Sequence, residues 1–139
     1  MIVLDTNVIS ELDRPRPDQY LVDWFTRTEL SDLYLCAPVI AEIAFGGYRV
    51  LFRDNSERYL KALHLRVNVT FVGRILDFST EAALKHGEIR SKLELSGDQV
   101  SLVDTQIAAI CLVTGAALAT RNTKDFQGLG IVLINPFEG

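Results

Sequence analysis

The chain has 139 residues, is 48% hydrophobic and 23% charged, and carries a formal net charge of −4. A domain of that length buries roughly 68% of the surface its unfolded chain exposes, so it builds a core without staples, and wholesale disorder is excluded. The acidic balance excludes a protein that coats nucleic acid through overall positive charge, while leaving room for a local basic rim.

The opening residues Met-Ile-Val-Leu-Asp have neither a basic n-region nor a long apolar stretch, so no signal peptide is expected. No apolar run approaches the ~20 residues of a membrane span. Residues 2–4 read as a short buried strand ending at Asp5, and 6–12 as a short helix. Residues 18–27 carry Leu21, Trp24 and Phe25 at helical spacing. A strand over 33–37 leads to a helix over 39–52, just after Pro38, which suits a first turn. Residues 57–65 form a helix with Ser56 as its N-cap. A strand over 74–78 is followed by a helix over 80–95 opening on a capping hydroxyl. The helix over 101–114 ends at Gly115, and strands over 116–120 and 131–134 complete the series. Breakers fall at 14–17, at Gly46-Gly47, at Ser96-Gly97 and at 128–130.

Unalternated apolar strands between amphipathic helices predict an α/β layer sandwich with a mainly parallel sheet covered on both faces. No linker divides the chain, so a single domain over 1–139 is expected. Cys36 and Cys111 lie in apolar runs and are expected as buried, reduced thiols of a soluble cytoplasmic protein. His64 and His86 are expected at the surface or in helix packing. Trp24, with Leu21 and Phe25, is expected in the core rather than stacked on bases, and Tyr48, Phe52, Tyr59 and Leu63 in the core or in a partner groove.

Four of the 18 acidic residues stand out. Asp5 ends the first apolar strand. Glu42 is the one charge in Ala37-Pro-Val-Ile-Ala-Glu-Ile-Ala-Phe45. Asp104 shares a helix face with Ile107, Ala108 and Cys111. Asp125 follows the fourth strand. An ionised carboxylate removed from water costs several kcal/mol without a partner. No His or Cys lies at ligand spacing beside these acids, and oxygen donors alone select hard cations such as Mg²⁺ or Mn²⁺. Sites in open α/β sheets lie at strand carboxyl ends where the strand order reverses, and the first and fourth strands both deliver acids there if they are neighbours. Singly, each acid has an ordinary alternative. Asp5 can cap the first helix, Glu42 can pair with Arg49 or Arg90, Asp104 can cap or pair with Arg121, and Asp125 can be a turn residue.

Residues 2–10 (Ile-Val-Leu-Asp-Thr-Asn-Val-Ile-Ser), 38–42 (Pro-Val-Ile-Ala-Glu), 104–109 (Asp-Thr-Gln-Ile-Ala-Ala) and 119–126 (Ala-Thr-Arg-Asn-Thr-Lys-Asp-Phe) resemble PIN-domain ribonucleases, above all VapC/FitB-like toxins of toxin–antitoxin pairs. The likeness runs through the whole chain to Ile134-Asn-Pro-Phe137. It implies a five-stranded parallel sheet of order 3-2-1-4-5 flanked by helices. It also implies that Asp5, Glu42 and Asp104 are the three acids holding Mg²⁺ or Mn²⁺. Where some members place a fourth Asp, this chain has Asn122, so Asp125 becomes the fourth acid and Asn122 a supporting ligand. Thr6, Asn7, Thr120 and Arg90 are further supporting residues, Arg90 by balancing acidic charge or touching phosphate.

The resemblance implies a metal-dependent endoribonuclease that cuts single-stranded or looped RNA to 5′-phosphate and 3′-hydroxyl ends. Asp5 and Asp104 would hold the principal ion, with Glu42 and Asp125 completing its shell. Arg14, Arg16, Arg49, Arg53, Arg90, Lys92, Arg121 and Lys124 are candidates for a phosphate-binding rim. The implied partners are a second copy of the chain, a higher hetero-oligomer, and an antitoxin whose tail crosses the groove while its other end binds operator DNA. Two other classes compete. A haloacid-dehalogenase-like phosphatase would use Asp5 as nucleophile, yet its usual second Asp is Asn7 here. A non-catalytic nucleic-acid or partner-binding module would leave four acids without a role.

Overall fold

Five short strands form one sheet: β1 (Ile2–Leu4), β2 (Leu33–Cys36), β3 (Ile75–Leu76), β4 (Ala117–Ala119) and β5 (Leu133–Ile134). The computed structural model describes residues 1–138. The strand order is β3-β2-β1-β4-β5 and every pairing is parallel, the topology the resemblance implies. Among the described residues six α-helices flank the sheet: α1 (Thr6–Leu12), α2 (Gln19–Arg27), α3 (Ala37–Asp54), α4 (Arg58–Leu65), α5 (Thr80–Ser96) and α6 (Leu102–Thr114).

Successive strand side chains point to opposite faces. Val3, Cys36 and Leu118 therefore join α6 residues Ile107, Ala108, Ile110 and Cys111 in one apolar cluster. Leu4, Leu35 and Ala119 join Val8, Ile9, Leu21 and Phe71 in the other. Both faces of β1, β2 and β4 are dry, which is why these strands read as unbroken apolar runs. Each Leu or Ile brought fully out of water here contributes roughly 1.5–3 kcal/mol. Cys36 and Cys111 are free and buried, as expected, and burial pushes both thiols up to about 12, far from thiolate chemistry.

The helix ends follow local chemistry, with some departures. Pro38 sits in the first turn of α3, and Ser101 caps α6 by accepting the Asp104 N–H at 3.1 Å. Gly115 ends α6 at φ 75°, a left-handed conformation that glycine adopts without a Cβ clash. The hydroxyl capping α5 is Ser79 rather than Thr80, since it is Ser79 that takes an extended backbone and accepts the Ala82 N–H. Ser56 stands one residue before the cap position of α4: the helix begins at Arg58, Glu57 occupies the cap without a side-chain bond, the Ser56 hydroxyl still accepts the Arg58 N–H at 3.4 Å, and a π turn over Arg66–Thr70 continues the helix. Tyr48 and Phe52 lie exposed on α3 instead of in the core, whereas Leu63 is buried and Trp24 packs against the core from its edge. His86 packs edge-on against Phe78 with ring centroids 5.8 Å apart, and His64 is exposed.

Gly46-Gly47 does not interrupt α3; the pair serves packing. A Cβ at Gly47 would lie 2.8 Å from Leu60 Cδ2 and 3.1 Å from Leu60 Cγ, so the glycine lets α4 approach α3. At Gly46 the same atom meets nothing within 4 Å. Neighbouring substitutions thus act with opposite signs. Gly46→Ala raises unfolding free energy by about 0.5–1 kcal/mol through helix propensity. Gly47→Val lowers it by about 1–3 kcal/mol through overpacking. Denaturant titration of the two variants beside the parent chain measures both.

Candidate metal centre

The topology brings the acids to one edge. Leu4 pairs with Ala119, and the Asp5 N–H donates to the Ala119 carbonyl at 3.0 Å, so Asp5 and Thr120 leave the sheet side by side. β1 has β2 on one side and β4 on the other, which makes the β1/β4 junction the point where the strand order reverses.

Asp5 is 4% exposed. Its Oδ1 accepts the Thr6 N–H at 2.8 Å, and its Oδ2 accepts the Thr120 hydroxyl at 2.8 Å and the Asn7 amide at 3.3 Å. The side chain that caps α1 is thus also the acid nearest the strand crossover. Burial lifts its pKa above the ordinary carboxylate value and the Glu42 charge adds to this, against the pull of the Thr120, Thr6 and Asn7 hydrogen bonds. Thr120 is fully buried; besides donating to Asp5 its hydroxyl accepts from the Asn122 N–H at 3.0 Å and the Asn7 amide at 3.2 Å.

Glu42 projects from α3, exposed, and its Oε1 accepts the Thr6 hydroxyl at 2.5 Å. Thr6 therefore links α1 to α3 across the mouth of the site. Asp104 stands in the first turn of α6, half-buried, above fully packed Ile107, Ala108 and Cys111. Its carboxyl is pushed up to about 6, first by burial and then by the charge of Asp5, with Asp125 and Glu42 adding to it and the Ser101 hydrogen bond opposing. Asp125 lies exposed in the 3₁₀ turn Thr123–Phe126 after β4, its N–H donating to the Asn122 carbonyl at 3.1 Å.

Among the described residues none of these four acids forms an ion pair. Glu42 meets neither Arg49 nor Arg90, and Arg121 turns to Glu11 rather than to Asp104. Arg90 stands exposed on α5 with no hydrogen bond or ion pair to an acid among the described residues; it lines a shallow cleft with Gln99, Val100 and Thr105, beside Asp104 in the chain. Glu11 is the acid that sequence reasoning overlooked: it is 7% exposed and bonded to Arg121 Nη2 at 3.3 Å. Its neighbours Ser10, Asp13 and Arg14 gave it the look of a solvated charge, and its partner lies 110 positions away.

In the side-chain conformations present, no three acidic, histidine or cysteine side chains among the described residues form a ready ion cage. The donor set nonetheless suits a hard divalent cation: carboxylate oxygens, no cationic side chain among them, and mutual repulsion felt at Asp104.

The PIN domain family model matches residues 2–131. The chain is 34% identical over 138 residues to the VapC ribonuclease Y4jK of Sinorhizobium fredii, covering 99% of each chain. It is 34% identical over 137 residues to toxin FitB of Neisseria gonorrhoeae, again covering 99% of each. The solved structure of FitAB bound to an IR36 DNA fragment superposes with a TM-score of 0.86 at 35% identity, covering 100% of this chain and 97% of that one. The chain belongs to the PIN domain family. Within that family its likeness is to the VapC and FitB toxins. PIN-domain ribonucleases in general use divalent metal ions.

A stability signature follows from Asp104. Its pKa moves from 3.8 to about 6 on folding, so between those values the folded chain binds more protons than the unfolded one. Stability in the absence of metal therefore falls as pH rises through that window. After allowance for solvent screening at a half-exposed group, the fall attributable to Asp104 is about 1–2 kcal/mol. Asp104→Asn removes this part and leaves Tm at neutral pH unchanged or higher. Thermal melts in chelator across the window, wild type against variant, measure it.

Proposed function

We propose that the protein is a metal-dependent endoribonuclease, the toxin of a toxin–antitoxin pair, that hydrolyses RNA phosphodiester bonds. The observation that carries this is the convergence at the β1/β4 junction of carboxylates from β1, α3, α6 and the loop after β4, with no cationic side chain paired to any of them among the described residues. Asp5 and Asp104 would hold Mg²⁺ or Mn²⁺ directly, and Glu42 and Asp125 would complete the shell or position waters. When bound, the ion supplies neutralisation of phosphate charge and an acidified water for in-line attack.

The chain's own groups do the positioning. Thr120 and Asn7 fix Asp5 Oδ2, and Thr6 fixes Glu42 Oε1, so two of the four acids are held in place before any ligand arrives. Asn122, beside Asp125 at the rim, is a supporting polar ligand. Arg16, Arg49, Arg90 and Lys124 have no acidic partner among the described residues and are free to meet backbone phosphates. Looped or single-stranded RNA, with its phosphates and bases splayed, fits an open edge of this kind. A phosphatase using Asp5 as nucleophile is not favoured, because Asn7 stands where that chemistry needs its second Asp, and Glu42 and Asp104 would have no role in it.

A groove of about 280 Å³ between α1, α3 and α4 opens beside Glu42 and is lined by Ser10, Ile43, Val50 and Tyr59 among others. It would seat the tail of an antitoxin that also binds operator DNA. The toxin forms a homodimer or a higher hetero-oligomer with that partner and acts in the cytoplasm as a single domain. Among the described residues no helix is long and apolar enough to cross a membrane.

Purified protein freed of any partner cuts single-stranded RNA with Mg²⁺ or Mn²⁺ and stops in chelator. Asp104→Asn lowers the rate by more than the roughly 10–100-fold that loss of a group merely orienting a ligand costs. Wild-type protein inert with both ions overturns the nuclease assignment, and a variant that keeps cutting removes Asp104 from the site.

A further inference from the structure

Glu11 is a nearly buried carboxylate that the proposed chemistry does not use. Its Oε2 accepts the Asp18 N–H at 3.1 Å, and its Oε1 accepts Arg121 Nη2 at 3.3 Å, with Arg14 Nη1 at 3.6 Å on the solvent side. The Arg121 guanidinium lies 3.9 Å from the centroid of the Phe137 ring, in the turn after β5. Arg121 is also the residue between Thr120 and Asn122, and its backbone N–H donates to Asn7 Oδ1 at 3.1 Å. An N–H can meet only the amide oxygen, so the Asn7 NH₂ is turned the other way, toward Asp5 Oδ2 and Thr120 Oγ1.

We propose that Glu11, Arg121 and Phe137 form a clamp that fixes the loop following β4 on α1, sets the orientation of Asn7 against Asp5, and holds the Arg121 guanidinium away from the acid cluster. The three are positioning residues, and the effect on metal binding rests on the metal-dependent nuclease proposed above. The physics is direct. A buried carboxylate requires its cation, so Glu11 anchors Arg121 from one side. The planar guanidinium stacks on Phe137 from the other, a fixation that a lysine does not reproduce. A cation one residue from Thr120 would otherwise be drawn to carboxylates lacking a counter-charge, and would compete there with a divalent ion. Asp125 lies four positions along the same loop, so the clamp also bears on where that acid stands.

Mn²⁺ alone is titrated calorimetrically into the full chain and into Glu11→Gln, Arg121→Lys and Phe137→Leu, with RNA cleavage measured in parallel. Glu11→Gln weakens Mn²⁺ binding about tenfold, the low end of the 10–100-fold range for groups that orient metal ligands. Its kcat falls while KM for RNA stays near the wild-type value. Arg121→Lys, which keeps the cation and loses the stack, falls less, and Phe137→Leu tests the stack without touching charge. The Asn7 side-chain amide, read by NMR in metal-free protein, shifts and exchanges faster in Glu11→Gln. Unchanged Mn²⁺ affinity together with an unmoved Asn7 amide overturns the clamp, whatever happens to the melting temperature. Wild-type protein that takes up no Mn²⁺ overturns the metal centre instead, and the Asn7 amide then decides the clamp by itself.

Discussion

Like charges gathered in a half-dry edge resist being there, and everything at this site follows from how the fold overrules them. Asp104 holds its proton up to about 6 because it is partly buried beside Asp5, Asp125 and Glu42. That penalty is small beside what holds the elements in place. Ile107 and Ile110 on α6, Leu118 on β4 and Val3 on β1 are all fully buried, each worth roughly 1.5–3 kcal/mol. The apolar layers thus fix the backbone, and the carboxylates go where the strand and helix ends put them. A divalent ion at this edge would relieve the residual repulsion, so the fold itself would supply part of the affinity for metal.

Much of this architecture was legible in the chain. Asp104 followed by Ile107, Ala108 and Cys111 at helical spacing announced an acid on an apolar face, and all three neighbours are buried. Asp5 after Ile2-Val-Leu4 announced an acid at a strand end. What stayed hidden depended on distant contacts or on backbone detail. Glu11 looked solvated because its local sequence is polar, while Arg121 and Phe137 reach it only after β4 and β5 have joined the sheet. Ser56 reads as the cap, yet Glu57 takes that position and Ser56 reaches the first helical N–H from one residue further back. Gly46-Gly47 looked like a break, but one glycine is a contact surface for Leu60 and the helix runs on. Tyr48 and Phe52 carry apolar bulk, and nothing local told that their side of α3 faces outward.

The basic residues divide in a way that composition alone conceals. Arg14 and Arg121 attend Glu11, Arg53 attends Asp54, Arg66 attends Asp13 at 2.6 Å, and Lys92 leans toward Glu88. These charges mend the fold's own surface and core. Only a minority remain unpaired for a polyanion, so a chain with net charge −4 would meet one through a few placed contacts and not through a general field.

The pairing of Leu4 with Ala119 joins the last residue of β1 to a strand more than a hundred positions later. A partly synthesised chain that has not yet delivered β4 carries Asp5, Glu42 and Asp104 but lacks the strand that sets Thr120 and the Asp125 turn beside Asp5. The acid-lined edge is therefore completed only when the sheet closes, after nearly the last stretch of the chain has been made.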